Sequence, residues 1–422
     1  MTAPMPKCPE VGFEGTEREQ SQLPAVALLC RLGCHYLTRE EALALRGGKA
    51  SRILLEDVLR SQLLRLNRIR YKGREHAFSP ANVRRAIQAL DDVPLAEGLQ
   101  RGGEQVYDLL RLGKSLEQTV EGDTKSFTLH YVDWDRPENN VYHVTTEYEL
   151  LRASSQKPCY LDVVLFVNGI PFVVVECKAR GVDLATAVSD ILAYQSAEFV
   201  PELFKYVQIV LATNVHEAKY ATAGTEAKFW AVWKSREDVD AEIEAMLRAP
   251  LPEVEREAVL INFVREARQF YAVEQQGRMV TEQDRALYSL CRPERLMELV
   301  GRFIVYDGGI KKVARYPQYY AVKRAMAQIL SKSRDGTRPG GVIWHTQGSG
   351  KALTMVMLAN AIAQSREIEN PRILLVTDRV DLDKQIGGTF RRCSDSVRPG
   401  DGFRATFPMP VITHEPNIAA RK

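Results

Sequence analysis

The sequence predicts an α/β protein in which a mixed-sheet domain with an N-terminal helical layer is followed by a helical connector and the start of a parallel α/β lobe. Three observations carry this. Two strongly apolar, β-prone runs flank an Asn-Gly dipeptide in YLDVVLFVNGIPFVVVECK, residues 160–178, which is a hairpin signal. A helical segment over 184–199 and the run KYVQIVLATN come next, giving strand, helix, strand. Further on, GVIWHTQGSGKALTMVMLANAIAQ places a short apolar run, a glycine loop and a helix in the order that opens a βαβ nucleotide-binding unit.

The chain has 422 residues, more than one ordinary core accommodates. Hydrophobic residues make up 45% and charged residues 26%, as in globular domains, and no apolar run approaches the roughly 20 residues that span a bilayer. The opening MTAPMPKCPEVGFEGTEREQ has no charged-then-apolar leader, so a cytoplasmic protein is expected. Seven cysteines at scattered spacings form no disulfide framework, which fits a reducing compartment. Cys30, Cys34 and His35 come nearest to a metal cluster, but PAVALLCRLGCHYL reads as an apolar helix ending at Gly33. A net charge of +3 does not by itself announce a nucleic-acid partner. Any such contact must use local patches, for which Arg65–Arg74 (RLNRIRYKGR) and the set Lys311, Lys312 and Arg315 are candidates. A solvated helix face accounts for either patch equally well.

Residues 1–95 read as a helical support region, with apolar spacing in ILLEDVLRSQLLRL and in NVRRAIQAL, the latter entered through Ser79-Pro80. Residues 96–234 carry the mixed sheet, in which SFTLHYVDW, NVYHVTTEYEL, YLDVVLFV, PFVVVECKA and KYVQIVLATN are the strand-like runs. Residues 235–302 are charged and helical, broken at Pro250 and Pro252, and form the connector. Residues 303–422 begin the second α/β lobe, whose next strand is ILLVT.

The strongest chemical feature is the hairpin. Its two apolar strands carry charge only at Asp162, Glu176 and Lys178, and charge in a core is costly unless paired or bound to metal. Glu176 and Lys178 share a face because they are two apart on one strand. A simple two-residue loop would put Asp162 opposite Val175 and on the other face. An odd loop, such as a three-residue turn with a bulge at Gly169, gathers all three, and the chemistry therefore predicts an odd loop. Gathered, the two carboxylates can hold Mg²⁺, which polarises a phosphate and acidifies a bound water that Lys178 orients. The plainer alternative is strand-end charge reaching solvent, with Lys178 paired to Glu176. Glu147 or Glu149 could add a carboxylate, although surface charge explains both.

In HTQGSGK the backbone N–H groups of Gly348, Ser349, Gly350 and Lys351 can cradle phosphates at a helix N-terminus, and Lys351 can reach the β and γ phosphates of ATP. A connecting loop without ligand is the alternative. The next position, where a Ser or Thr hydroxyl normally ligates Mg²⁺, is Ala352, so hydrolysis should be impaired unless Thr354 or water compensates. No acidic box of the Asp-Glu-x-His kind follows before Lys422, so an ATPase working alone is not expected.

The run DVVLFVNGIPFVVVECKAR closely resembles the nuclease core of type I restriction subunits, of the PD-(D/E)xK superfamily. The resemblance implies catalytic roles for Asp162, Glu176 and Lys178. It also implies a Gln-x-x-x-Tyr pair on the following helix. In SDILAYQ the positions are Asp190 and Tyr194, so the tyrosine fits and an aspartate replaces the glutamine. RYPQYYAV resembles the motif ahead of the phosphate loop in superfamily 2 helicases, implying that Gln318 contacts adenine. VTDRVDLDKQI resembles the next motor motif, with Asp378 and Arg379 in place, and the lobe is thus expected to be RecA-like. Covering about 46–390, the resemblance implies a restriction endonuclease joined to a truncated motor, with double-stranded DNA and the methylation and specificity subunits as partners. The competing expectation is a catalytically silent DNA-binding or assembly fragment.

Overall fold

The two apolar runs of the hairpin form the centre of a six-stranded mixed sheet in the computed structural model, which describes residues 16–235, 238–263, 266, 270, 278–331, 338–377 and 379–394. The sheet contains β1 (His35–Leu37), β6 (Tyr142–Leu151), β7 (Pro158–Val167), β8 (Ile170–Cys177), β9 (Ile209–Thr213) and β10 (Ala218–Ala221), in that order. Among the described residues three two-stranded ribbons complete the strand set: β2 (Arg68–Tyr71) with β3 (Arg74–Ala77), β4 (Lys114–Val120) with β5 (Asp123–Leu129), and β11 (Ile304–Asp307) with β12 (Ile310–Val313). The chain divides into one unit of Met1–Val305 with Ile310–Tyr320 and another of Tyr306–Gly309 with Ala321–Lys422.

In the first unit β7 runs antiparallel to both β6 and β8, whereas β1 is parallel to β6, and β9 is parallel to β8 and joined to it through the helix Leu184–Tyr194. Val163, Val164, Leu165, Val173, Val174 and Val175 are all 0% exposed, so β7 and β8 are covered on both faces, which is why they read as continuous apolar runs. Leu184, Ala187, Val188 and Ile191 of the crossover helix pack in one cluster with Val164, Phe166 and Val174. Helix Leu23–Arg31, buried from Leu23 to Cys30, packs against β6 and against the helix Glu282–Cys291. The described helices of 238–302 thus belong to the same unit as the sheet.

The loop of the hairpin differs from expectation. Asn168 (φ 52°) and Gly169 (φ 84°) make a two-residue turn with both residues left-handed, and Val167 pairs with Ile170. The turn is locked from both sides. Asn168 is fully buried, its Oδ1 accepting from Val141 N at 2.9 Å and its Nδ2 donating to Tyr131 O at 3.0 Å. At Gly169 a Cβ would sit 2.6 Å from Leu55 O. The odd residue enters one step later, as a bulge. Phe166 pairs with Pro171 but Leu165 with Val173, leaving Phe172 extra on β8. Pro171 cannot donate to the ladder and is tolerated next to such an irregularity. From Val163 opposite Val175 the register continues to place Asp162 opposite Glu176. The predicted parity holds, and its cause is a bulge with a two-residue loop in place of an odd loop.

Two further expectations need correction. Arg65–Arg74 is no basic helix face. Its second half forms the β2–β3 hairpin, where Arg70 pairs with Glu75, Lys72 with Asp123 and Arg74 with Glu121, so much of the charge is neutralised. Lys311 is only 3% exposed and belongs to the interior. In the second unit the helices Lys351–Ala363 and Val380–Ser394 pack together. The expected strands at 341–344 and 373–377 are unpaired, with Val342 at 91%, Trp344 at 90% and Val376 at 84% exposure. A parallel strand takes its hydrogen bonds and both covered faces from neighbours, and among the described residues these two runs have no paired neighbour.

Candidate active site

Asp162 in the middle of β7 lies level with Glu176 near the end of β8, and Lys178 follows directly after that strand. The Asp162 carboxylate is fixed by two donors: Cys177 N–H to Oδ2 at 2.8 Å and Gln22 Nε2 to Oδ1 at 3.0 Å. Glu176, 1% exposed, accepts at Oε1 from Lys178 Nζ at 2.7 Å and from the Tyr194 hydroxyl at 3.5 Å. Its Oε2 is buried without a partner. Lys178 Nζ also lies 2.9 Å from Asp190 Oδ2 and 4.0 Å from Glu17 Oε2. Asp162, Glu176, Lys178, Asp190 and Tyr194 therefore converge.

Burial pushes both Asp162 and Glu176 well above the usual carboxylate range. The Cys177 N–H partly offsets this at Asp162, and the charge of Asp162 adds to it at Glu176. Burial pulls Lys178 down, but its contacts with Glu176 and Asp190 outweigh that and leave it firmly protonated. Burial, then the carboxylates around it, raises Tyr194, which stays a neutral phenol able to donate. The cluster thus has more negative charge than one lysine satisfies. A divalent cation fits that deficit: the orphaned Glu176 Oε2 and the oriented Asp162 are hard oxygen donors, and Mg²⁺ commonly takes one or two carboxylates and keeps waters or phosphate oxygens elsewhere.

Gln22 and Glu17 carried no sequence signal. They come from the start of the N-terminal helical segment, where Arg18–Gln22 form a π-helical turn, a widening frequent at functional sites. Ser21 in that turn donates to Gln283 Oε1 at 2.6 Å, which holds it against the helix Glu282–Cys291. Only tertiary approach brings this turn to residues 140 and more positions away. Glu147 and Glu149 pair with Arg18 and Arg39 respectively. Cys30 and Cys34 are buried free thiols, and His35 Nδ1 lies 2.9 Å from Glu255 Oε1.

In the glycine loop Gly348 (φ 76°) and Gly350 (φ 80°) take left-handed conformations that bend the backbone into the helix starting at Lys351. Lys351 Nζ donates to Thr346 O at 3.3 Å, and the Ser349 hydroxyl to the same carbonyl at 2.7 Å. Thr354 is 3% exposed and its hydroxyl donates to Gly350 O at 3.2 Å, so it does not replace the hydroxyl missing at Ala352. Gln318 belongs to the first unit, where it is buried and accepts from Arg315 N at 2.8 Å. Arg379 is exposed, and Asp378 lies outside the described residues.

The family described as "Type I restriction enzyme R protein N terminus" matches residues 14–229, and the "SWI2/SNF2 ATPase" family matches residues 317–403. Among curated proteins, the chain is similar to the type I restriction enzyme HindI endonuclease subunit of Haemophilus influenzae, 29% identical over 301 residues, which is 69% of this chain and 25% of the relative. It is also similar to the putative MjaIXP endonuclease subunit of Methanocaldococcus jannaschii, 26% identical over 68% of this chain and 26% of that protein. The SauCOLORF180P endonuclease subunit of Staphylococcus aureus is 24% identical over 69% of this chain and 26% of its own length. The chain spans about a quarter of the length of these relatives.

Proposed function

The chain belongs to the family of type I restriction enzyme R proteins, and from that premise we propose that its first unit contains the PD-(D/E)xK endonuclease module of such a subunit, hydrolysing phosphodiester bonds of double-stranded DNA with a divalent metal. One observation carries the reading: a buried carboxylate, a partly buried one and a lysine share one end of a single hairpin, and one oxygen of the buried carboxylate lacks a partner. Asp162 and Glu176 would hold Mg²⁺, which polarises the scissile phosphate when bound. The Cys177 N–H and Gln22 keep the Asp162 carboxylate in one orientation, so no reorganisation accompanies reaction. Lys178, protonated, offsets charge developing on the phosphate, and Tyr194 supplies a neutral hydroxyl beside Glu176.

Residues 303–422 we assign to the beginning of an ATP-binding, RecA-like motor lobe, preceded by the support region 1–95, the nuclease core 96–234 and the connector 235–302. Gly348 to Lys351 would cradle the ATP phosphates, Gln318 would contact adenine, and Asp378 with Arg379 belong to the following motor motif. Ala352 argues against efficient hydrolysis. Methylation and specificity subunits are the proposed partners, in the cytoplasm.

Cleavage of supercoiled plasmid with Mg²⁺ or Mn²⁺ tests the reading. Nicking by the wild-type chain, lost in Asp162→Ala and Lys178→Ala, is expected. No cleavage even with the partner subunits present would favour a silent DNA-binding or assembly fragment, a second reading to which the Asp190–Lys178 ion pair lends weight.

A further inference from the structure

Arg180 stands two residues beyond Lys178, and His216 three residues beyond the end of the adjacent parallel strand β9. Both side chains are exposed, and Arg180 Nε donates to His216 Nε2 at 2.7 Å. Other arginines near this end of the sheet are held by carboxylates, Arg18 by Glu147 and Arg39 by Glu149. Arg180 has no carboxylate partner among the described residues. The distinction matters, because a carboxylate neutralises a guanidinium, whereas an accepting imidazole fixes it in place and leaves its full charge. A guanidinium has donors only, so His216 Nε2 accepts in this contact and the other ring nitrogen, Nδ1, is left to donate.

The surrounding backbone fixes both residues. Arg180 N–H donates to Gln20 Oε1 at 2.7 Å, tying its loop to the π-helical turn that supplies Gln22. Lys178 N–H donates to Thr213 O at 2.8 Å, joining the two strand ends. Val215 (φ 77°) adopts a left-handed conformation that β-branched residues rarely take, and it directly precedes His216. Asn214 braces that turn through Nδ2 to Val182 O at 2.8 Å and Oδ1 from Glu217 N at 2.9 Å.

We propose that Arg180 and His216 form a phosphate grip at the rim of the active site, binding a non-scissile phosphate of the strand being cut. This rests on the nuclease reading above. Two residues of chain span at most about 7 Å, so the grip lies close to Lys178 and meets a backbone phosphate near the scissile one. Such a contact carries no base information and fixes the register of the strand.

The experiment measures binding of the full chain to a fluorescent duplex in Ca²⁺ as a function of salt, for wild type, Arg180→Gln and His216→Glu. The second variant leaves the arginine in place and neutralises it. Both variants are expected to bind several-fold more weakly and to lose about one unit of salt slope, with unchanged thermal midpoints. Wild-type affinity and slope in both would overturn the grip, as would weaker binding with an unchanged slope. The nuclease reading is tested separately by nicking in Mg²⁺: wild-type cleavage together with wild-type binding by both variants sinks the grip alone, and a wild-type chain that neither binds nor nicks DNA even with the partner subunits present sinks both.

Discussion

Asp190 Oδ2 lies 2.9 Å from Lys178 Nζ, so the lysine is shared between Glu176 and a second carboxylate from the crossover helix. Asp190 is 39% exposed, which weakens the pair through solvent screening. Even so it adds negative charge where a DNA phosphate must approach and draws Lys178 away from that phosphate. Asp190→Gln keeps a polar side chain and removes both effects. The nicking rate is expected to rise roughly fivefold, equivalent to about 1 kcal/mol. A fall in rate in single-turnover assays would show instead that Asp190 works with the other carboxylates.

Removing one metal ligand should separate metal binding from folding. In Asp162→Asn the amide oxygen can still accept from Cys177 N–H or Gln22, while the anionic donor is lost. Without metal the variant should be more stable at neutral pH by on the order of 1–3 kcal/mol, because a partly buried carboxylate beside Glu176 is no longer present. Thermal unfolding with and without Mn²⁺ checks both parts. Wild type should gain in midpoint on adding metal, and the variant should start higher and gain nothing.

The hairpin also marks how far the sequence could be read. Its strands, its Asn-Gly turn and the gathering of Asp162, Glu176 and Lys178 follow from apolar runs, turn chemistry and charge cost. The bulge at Phe172 did not, because one extra residue is equally consistent with a longer loop, and only the buried Asn168 bonds decide for the tight turn. Gln22 and Glu17 were illegible for another reason: their role depends on where a distant helix docks. Likewise β1, three residues long, is a strand only because β6 offers it a partner.

Gly169→Ala tests that turn. The substitution strains a left-handed position and pushes a Cβ to within 2.6 Å of Leu55 O and 2.9 Å of Leu59 N. Urea unfolding should show a loss of about 2–4 kcal/mol. Gly122→Ala, also left-handed but with nothing within 4 Å, should cost about 1 kcal/mol. Equal losses would mean that the approach of Leu55 does not constrain the hairpin.

Lys311 supplies a pH-dependent prediction remote from the site. Its Nζ donates to Gln208 Oε1 at 2.6 Å and to Val207 O at 3.2 Å, and burial pushes its pKa down to about 7. A lysine depressed in the fold but titrating at about 10.4 when unfolded binds more protons in the unfolded state between those values. Stability from this group is therefore flat below pH 7 and rises from there towards pH 10, by at most about 1.4 kcal/mol per pH unit. Lys311→Met leaves Gln208 Oε1 without this donor, a cost that does not vary with pH, and removes the rise. Unfolding free energies of the two proteins at pH 6, 7.5 and 9 should therefore diverge in favour of wild type as pH increases. A difference constant across that range would place the charged form of Lys311 in the folded protein throughout.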